Sequence, residues 1–360
     1  MKKSLIALAV LAASGAAMAQ SSVTLYGVAD AGVTYLNGAD NWSGVTSGNN
    51  LTSRLGFRGV EDLGGGLKAN FVIEGGFNLD NGDGASGYAG AKAGEGFQFK
   101  RRSTVGLSGG FGEVRMGREL TAAFNATARY DVFGSVGIGQ SRLWADGGVV
   151  DASANATAVT TNQRISNALT YVSPSFSGFK VGVNYGFGET TNGNSDSSYM
   201  GAGLMYDNGP LSLGLGLERL NNGANSVAVS DIDAWSLGGS YDFGVAKLLA
   251  GYRESKVDRA TGENKRLGYY VAATAPVGAG TVRVSYNRYE NELANVKGKA
   301  DQFAIGYVYG LSKRTSVYGT YAYIKNKDGA NLYTLGSSTQ GGLKNNGSQQ
   351  GVQVGVSHAF

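Results

Sequence analysis

The chain has 360 residues, of which only 16% are charged, and its formal net charge is +4 at pH 7. It contains no cysteine, which excludes disulfide frameworks, cysteine-based zinc sites, iron–sulfur clusters and thiol nucleophiles. The single histidine, His358, leaves little scope for metal binding or for Ser–His catalysis. Glycine accounts for 59 residues, and Tyr and Phe are too frequent for a disordered chain. We therefore expect an ordered protein without a cofactor or a metal ion.

The first residues have the pattern of a secretory signal peptide. Lys2 and Lys3 precede an apolar stretch, and Ala17-Met18-Ala19 is a small-residue cleavage site. We expect residues 1–19 to be removed and residues 20–360 to form a single domain. Part of the basic excess lies in the removed segment, so it does not indicate nucleic-acid binding. Later stretches are too short for an apolar transmembrane helix, which leaves a soluble periplasmic protein as the plain alternative.

Apolar and polar residues alternate through almost the whole remaining chain. The alternation is clearest in residues 23–35, 67–77, 179–187, 211–218 and 352–360. Such a period of two residues is typical of β-strands with one apolar and one polar face. Only residues 119–131 have the composition of a short helix.

Turn sequences divide the chain at regular intervals. Short turns occur at seven places, which are residues 61–66, 109–112, 173–175, 207–210, 242–244, 276–280 and 311–314. Long polar segments lie between them, for example residues 37–50, 81–96, 120–162, 221–231 and 328–346. Seven short turns that alternate with eight long loops predict an all-β, 16-stranded antiparallel transmembrane β-barrel. A soluble sandwich is disfavoured because the polar faces hold too many Gly, Ser, Thr and charged residues for a packed core.

Several segments resemble the trimeric general porins of Gram-negative outer membranes, in the neisserial and β-proteobacterial branch. They are residues 22–27, 53–69, 105–107, 171–174, 306–307, 311–315 and 358–360. The resemblance implies a homotrimer in the cell outer membrane, in contact with lipid and lipopolysaccharide and inserted by the barrel-assembly machinery. It also implies passive diffusion of small hydrophilic solutes and ions, without a cofactor, a nucleic-acid partner or an enzymatic activity.

Strand parity assigns charges to the lumen. If Leu55 and Phe57 face lipid, then Arg54 and Arg58 face inward, and the same rule turns Lys68 inward. Eight basic residues and three acidic residues are assigned to the lumen in this way. An excess of this kind in a narrow aqueous path between low-dielectric walls favours anions. The other basic residues are Lys180, Lys247, Arg253, Arg266 and Arg283, and the acidic residues are Asp30, Glu74 and Glu218.

The family resemblance implies a constriction with two oppositely charged sides. Porins of this kind carry a ladder of arginines on the barrel wall, opposite acidic groups on a third loop that folds inward. The ladder matches Arg54, Arg101 and Arg164 in this sequence, with Arg102 as the alternative to its neighbour Arg101. Residues 120–162 are in third-loop position, and we favour Asp131 and Glu119 as the acidic side. Alternatively, Arg54 and Arg164 lie at the rim and bind lipopolysaccharide phosphates.

The last residues and the first strand indicate how the barrel is inserted into the membrane and how its subunits associate. Phe360 resembles the family's signal for insertion into the outer membrane, and parity places His358 on the outer face beside it. The small outward residues Gly27, Ala29 and Ala31 favour a subunit interface along the first strand.

Two other functions remain as hypotheses. A substrate-specific channel needs a dedicated solute site, and a barrel enzyme needs a catalytic histidine, which an outward-facing His358 does not supply.

Overall fold

The computed structural model describes residues 22–84, 96–145, 163–188, 198–221, 231–259, 262–293, 296–328, 333–336 and 340–360. The expected signal peptide, residues 1–19, lies outside the described residues. The fold is almost entirely β-sheet, with two short helices, α1 (Ala122–Thr127) and α2 (Arg142–Ala145), and a 3-10 turn at Ala128–Tyr130. The strands are β1 (Ser22–Asn37), β2 (Asn41–Ser47), β3 (Arg54–Gly64), β4 (Leu67–Gly76), β5 (Arg102–Gly109), β6 (Gly112–Leu120), β7 (Arg164–Val172), β8 (Phe179–Gly186), β9 (Tyr199–Asn208), β10 (Leu211–Asn221), β11 (Asp231–Asp242), β12 (Lys247–Arg259), β13 (Gly262–Val277), β14 (Gly280–Leu293), β15 (Val296–Gly310), β16 (Thr315–Lys327) and β17 (Ser348–Ala359).

These segments form a closed antiparallel barrel of 16 strands, as predicted. Neighbouring strands pair in sequence order, and β1 pairs with β17 to close the sheet. On its other side, β1 pairs with β3 through residues 22–28 and with β2 through residues 31–37. β2 and β3 therefore share one position, so the 17 segments make a barrel of 16 strands. Among the described residues, no helix has the length and apolar character needed to cross a bilayer.

The connections agree with the predicted turns at one end and depart from the prediction at the other. Strands meet at all seven predicted short turns. At the opposite end, however, β12 is separated from β13, and β14 from β15, by only two residues, at 260–261 and 294–295. These four strands have 13 to 16 residues, more than the ~9–11 that a tilted membrane strand needs. Two of the expected long loops are thus strand extensions.

A buried carboxylate interrupts the second barrel strand. Asp30 is fully buried and accepts hydrogen bonds from the backbone N–H groups of Asn49 (2.7 Å), Asn50 (3.3 Å) and Leu51 (3.0 Å). The hydroxyl of Tyr318 donates a fourth hydrogen bond to it at 2.8 Å. Because these amides bond to a side chain instead of the neighbouring strand, residues 48–53 leave the ladder between β2 and β3.

The barrel has the reverse polarity of a water-soluble domain. On β11, Trp235 and Leu237 point outward and are 40% and 49% exposed, whereas Ser236 between them is fully buried. The same alternation occurs on β1, where Val33 is 60% exposed and Thr34 is buried. An apolar outer surface and a polar interior are what a lipid-embedded barrel requires.

The first part of the third loop packs on glycines of the inner wall. A Cβ atom at Gly203 would lie 2.2 Å from the carbonyl oxygen of Ala122, and one at Gly214 would lie 2.1 Å from that of Ala126. Only residues without a side chain allow such a close approach. The seat of α1 is therefore built into strands β9 and β10.

The rest of the loop crosses the interior from strand to strand. Arg129 forms a two-pronged ion pair with Asp207, next to a short turn, with distances of 2.7 and 3.0 Å. Further hydrogen bonds join Val132 N–H to the Tyr270 hydroxyl, Ile138 N–H to Gln353, the Gln302 amide to the carbonyl oxygen of Gln140, Ser141 Oγ to Asn287, and Arg142 N–H to the Tyr289 hydroxyl. The described part of the loop therefore folds inward and lines the wall from β8 to β17, where its apolar side chains form the main buried cluster.

The first and last strands meet at the seam between β1 and β17. Gly27 and Phe360 exchange two backbone hydrogen bonds of 3.1 Å each. A Cβ atom at Gly27 would lie 2.3 Å from Cζ of Phe360, so the terminal ring packs directly over the glycine. His358 lies opposite Ala29 on the outer face, and its Nδ1 is 2.9 Å from Oγ1 of Thr315.

We expect Gly27→Val to reduce the yield of folded barrel, because the new side chain displaces the Phe360 ring from the closing seam at a cost of ~1–3 kcal/mol. The measurement is the fraction of heat-modifiable, fast-migrating protein after insertion into detergent or membranes. Gly110→Val is the control, because a Cβ atom there meets nothing within 4 Å. Equal yields of the two variants would show that the contact does not contribute to closure.

Candidate pore constriction

The inner wall differs in accessibility between its two sides. On the side lined by the third loop, inner residues such as Ser236, Asn287 and Gln302 are fully buried. On β3 and β4, by contrast, the inner residues Arg58 and Lys68 are exposed. The side chains of their inner neighbours Arg54 and Glu74 are partly accessible, at 27% and 15% exposure. The water-accessible passage therefore runs along the first strands of the barrel.

Glu74 is the centre of a charged cluster in this passage. Its carboxylate lies 2.7 Å from Nε of Arg101 and 3.6 Å from Nε of Arg54. The Tyr26 hydroxyl donates a hydrogen bond of 3.0 Å to the same carboxylate. In the β4–β5 register, Arg102 stands directly opposite Glu74 and thus shares its face. Two guanidinium groups therefore contact one carboxylate, and a third belongs to the residue opposite it in the sheet.

Both candidates for the second arginine lie on the inner side. Arg102 is the first residue of β5, and its Nε donates to Oγ1 of Thr104 on the same face at 3.1 Å. Arg101 precedes the strand, so strand alternation does not constrain its side chain, which turns to Glu74. Parity suggested that only one of the two adjacent residues points inward, and it fails here because one lies outside the strand.

Arg164 lies beside this cluster and not within it. Asn167 has a positive φ of 52°, and the β6–β7 register shifts between Gly117 and Glu119. Because of this bulge, the buried side chain of Ile165 lies on the inner face. The side chain of Arg164, the preceding residue, therefore begins on the opposite face of the strand. The Nε of Arg164 donates to the backbone carbonyl oxygen of Arg101 at 2.8 Å.

Arg58 and Lys68 extend the basic surface toward the short-turn end. Arg58 shares the face of Arg54, and its guanidinium carbon lies 5.4 Å from the ring centroid of Tyr26. Lys68 stands opposite Ser108 on the same inner face. Both side chains are accessible, so they can attract anions at the mouth of the passage.

The structure places Glu119 at the base of the third loop. It is only 3% exposed, and its carboxylate is 2.8 Å from Nη2 of Arg115. Arg115 also pairs with Glu113 at 2.7 Å. Glu119 is thus part of an ion-pair network on the wall of β6 and does not face the arginines around Glu74.

Asp131 organises the loop from within. It is 6% exposed, and its carboxylate accepts hydrogen bonds from the backbone N–H groups of Phe133 (2.9 Å), Ser135 (3.0 Å) and Ser141 (2.9 Å). Burial raises the pKa of Asp131 to about 6, against the opposing effect of these N–H groups and of Arg283. The other acidic residues of the third loop, Asp146 and Asp151, lie outside the described residues.

The acid that faces the arginines is therefore on the wall and not on the described part of the loop. Parity had placed Glu74 in the lumen but had not connected it with the constriction. The signal was present in the sequence, since Glu74 shares its face with Lys68 and lies one hairpin from Arg54. Within the described ranges, no group of three His, Asp or Glu residues is arranged to hold a metal ion.

Comparison with known proteins agrees with this geometry. Residues 5–329 match the family described as Gram-negative porin. The chain is 46% identical to outer membrane porin protein 32 of Delftia acidovorans over the full length of both, and 30% identical to major outer membrane protein P.IB of Neisseria lactamica, with 95% of this chain and 98% of the relative covered. The solved structure of an anion-selective porin from Comamonas acidovorans superposes with a TM-score of 0.82 at 41% identity, covering 95% of this chain and all of the other. The chain therefore belongs to the Gram-negative porin family and is a channel protein of the outer membrane.

Proposed function

We propose that the chain forms a water-filled channel for passive diffusion of small hydrophilic solutes and ions, with a preference for anions. The observation that carries this proposal is the cluster in which Arg54 and Arg101 contact the single carboxylate of Glu74 and Arg102 stands opposite it in the sheet. Its net positive charge lies on the accessible side of the lumen. The structurally similar Comamonas porin, described as anion-selective, supports the same preference.

The strength of the anion preference depends on ionic strength. At ~0.1 M salt the Debye length is ~10 Å, so wall charges act across a narrow passage, whereas at ~1 M it is only ~3 Å. Guanidinium groups keep their charge at any accessible pH. The preference for anions should therefore be strongest in dilute salt and persist under alkaline conditions.

We also infer that the mature protein, residues 20–360, is a homotrimer that contacts lipid and lipopolysaccharide and has no catalytic role. Removal of residues 1–19 would release it into the periplasm, where Phe360 and His358 would present the last strand to the barrel-assembly machinery. The exposed Phe360 ring at the end of the seam supports this role. The small outward side chains of Ala29 and Ala31 support close contact between subunits.

Replacing Arg54 and Arg101 together by Gln should shift selectivity toward cations, because Glu74 then loses two counter-charges. In a tenfold KCl gradient, a perfectly selective channel gives about 59 mV, and we expect the double variant to lose more than about half of the wild-type reversal potential at low salt. Arg219→Gln is the control, since this side chain lies on the outer face and is 55% exposed. Cation preference in the unmodified protein would contradict the proposal.

Acidification should strengthen the anion preference in a step near pH 6. Because the pKa of Asp131 is about 6, its carboxylate is charged above that pH and neutral below it. Loss of this negative charge beside Arg283 makes the interior more positive. Reversal potentials between about pH 7.5 and pH 5 should show the step in the wild type and lack it in Asp131→Asn. Identical curves would mean that Asp131 does not influence permeation.

Substituting Trp for both Ala29 and Ala31 should dissociate the trimer in mild detergent, because bulky side chains hold the barrel walls apart. Light scattering measures the mass of the particle directly. Ala250→Trp serves as the control, since Ala250 is also small and exposed but lies on β12, away from the first strand. A wild-type protein that is a monodisperse monomer would rule out this interface.

A further inference from the structure

Arg58 is an accessible cation in the passage, and no acidic side chain neutralises it. It lies on the inner face of β3, next to the charged cluster around Glu74 on the side of the short turns. The Glu74 carboxylate is already engaged by two arginines and a tyrosine. Within the described part of the chain, Arg58 is exposed and forms no ion pair. Its positive charge is therefore directed toward the lumen.

The ring of Tyr26 orients the Arg58 side chain. Tyr26 stands opposite Gly56, where a Cβ atom would lie only 2.6 Å from its Cζ, so the ring crosses the wall directly over this glycine. The hydroxyl of Tyr26 is fixed to Glu74 at 3.0 Å, and the guanidinium carbon of Arg58 lies 5.4 Å from the ring centroid. A cation–π contact orients a guanidinium without using its N–H groups, which stay free to bind a ligand.

Two aliphatic side chains adjoin Arg58 on the inner face. Val72 stands directly opposite it in the β3–β4 register, and Val60 is the next inward residue on β3. Val60 is 43% exposed although it faces the lumen, and Val72 is half-buried. The inner wall of a water-filled barrel is polar. The inner residues of the neighbouring strand β5 follow this rule and are Arg102, Thr104, Gly106 and Ser108.

Burial does not account for these two valines. A side chain that stays in contact with water gains little from folding, because the hydrophobic effect depends on the apolar area removed from water. Inward aliphatic residues on the other side of the lumen, such as Leu249 and Ile324, are 8% and 0% exposed within the main buried cluster. Val60 and Val72 lie instead on the open side, where a solute in the passage can cover them.

We propose that Arg58, Val60 and Val72 form a binding subsite for monocarboxylates with a short aliphatic chain. The guanidinium fork of Arg58 binds the carboxylate through two N–H groups, which match its two oxygen atoms. The aliphatic chain lies over the valines, whose positions within ~7 Å of Arg58 suit a chain of about four to six carbons. The inference rests on the proposed function in one respect, because the solute reaches the subsite through the water-filled passage.

The test is inhibition of the chloride current by acetate, butyrate and hexanoate, with the full-length barrel in planar bilayers at low salt. A methylene group that leaves water completely contributes a factor of ~4 in affinity, and partial cover on an open wall reduces it to about twofold. Hexanoate has four more methylene groups than acetate, so its half-inhibitory concentration should be lower by at least about tenfold. Hexanamide has the same chain without the charge and should inhibit only weakly.

Two variants separate the parts of the subsite. Val60→Thr/Val72→Thr keeps the shape of both side chains and should reduce the ratio between acetate and hexanoate to below about threefold. Arg58→Gln should raise the half-inhibitory concentration of hexanoate by at least about tenfold, because the charged hydrogen bonds are lost. The second variant and the series of acids on the unmodified protein keep the proposal testable even if the first variant folds poorly.

Val105→Thr/Val271→Thr is the matched control, because it makes the same change at two valines of the outer face that are 56% and 52% exposed. It should keep the dependence on chain length. Equal inhibition by all three acids in the unmodified protein would overturn the proposal, and so would a dependence on chain length that survives in Val60→Thr/Val72→Thr. A failure of the proposed channel function is distinguishable, since the unmodified protein would then carry no chloride current to inhibit.

Discussion

The contact between the third loop and the glycines of the inner wall determines how the interior of this barrel is used. Backbone atoms of α1 approach β9 and β10 so closely that a single Cβ atom at Gly203 or Gly214 would collide with them. A loop held at this distance fills its side of the lumen with buried side chains. Water is therefore confined to the opposite side, where the inner residues of β3–β5 are charged.

The charged residues inside the barrel have different roles. Glu74 fixes the directions of the arginines around it, at the cost of one unit of their positive charge. Asp30 and Asp131, by contrast, are occupied by backbone N–H groups and shape the segments 48–53 and 131–141. Acidic residues thus support the geometry of an interior whose accessible surface is predominantly basic.

Local patterns in the sequence were sufficient for the architecture and insufficient for the site. Alternation and turn residues depend on near neighbours, so the number of strands and all seven short turns were predicted correctly. The face of Arg164 depends on a bulge at Asn167, which lies inside a strand and not in a turn sequence, and the burial of Asp131 depends on the path of the loop through the barrel. The extended hairpins β12–β13 and β14–β15 were missed because their polar, charged ends resemble loops.

The hydrogen bonds between Gly27 and Phe360 extend a pairing between strands that are distant in the sequence. On this side, the partner of β1 is β17, so the edge of β1 is satisfied only when the last strand is in place. A contact between residues so far apart in sequence carries a large loop-closure entropy, and partial sheets expose an unpaired edge. Closure of the sheet therefore joins the two strands that are farthest apart along the described chain, and any partial sheet that lacks β17 leaves an edge of β1 unpaired.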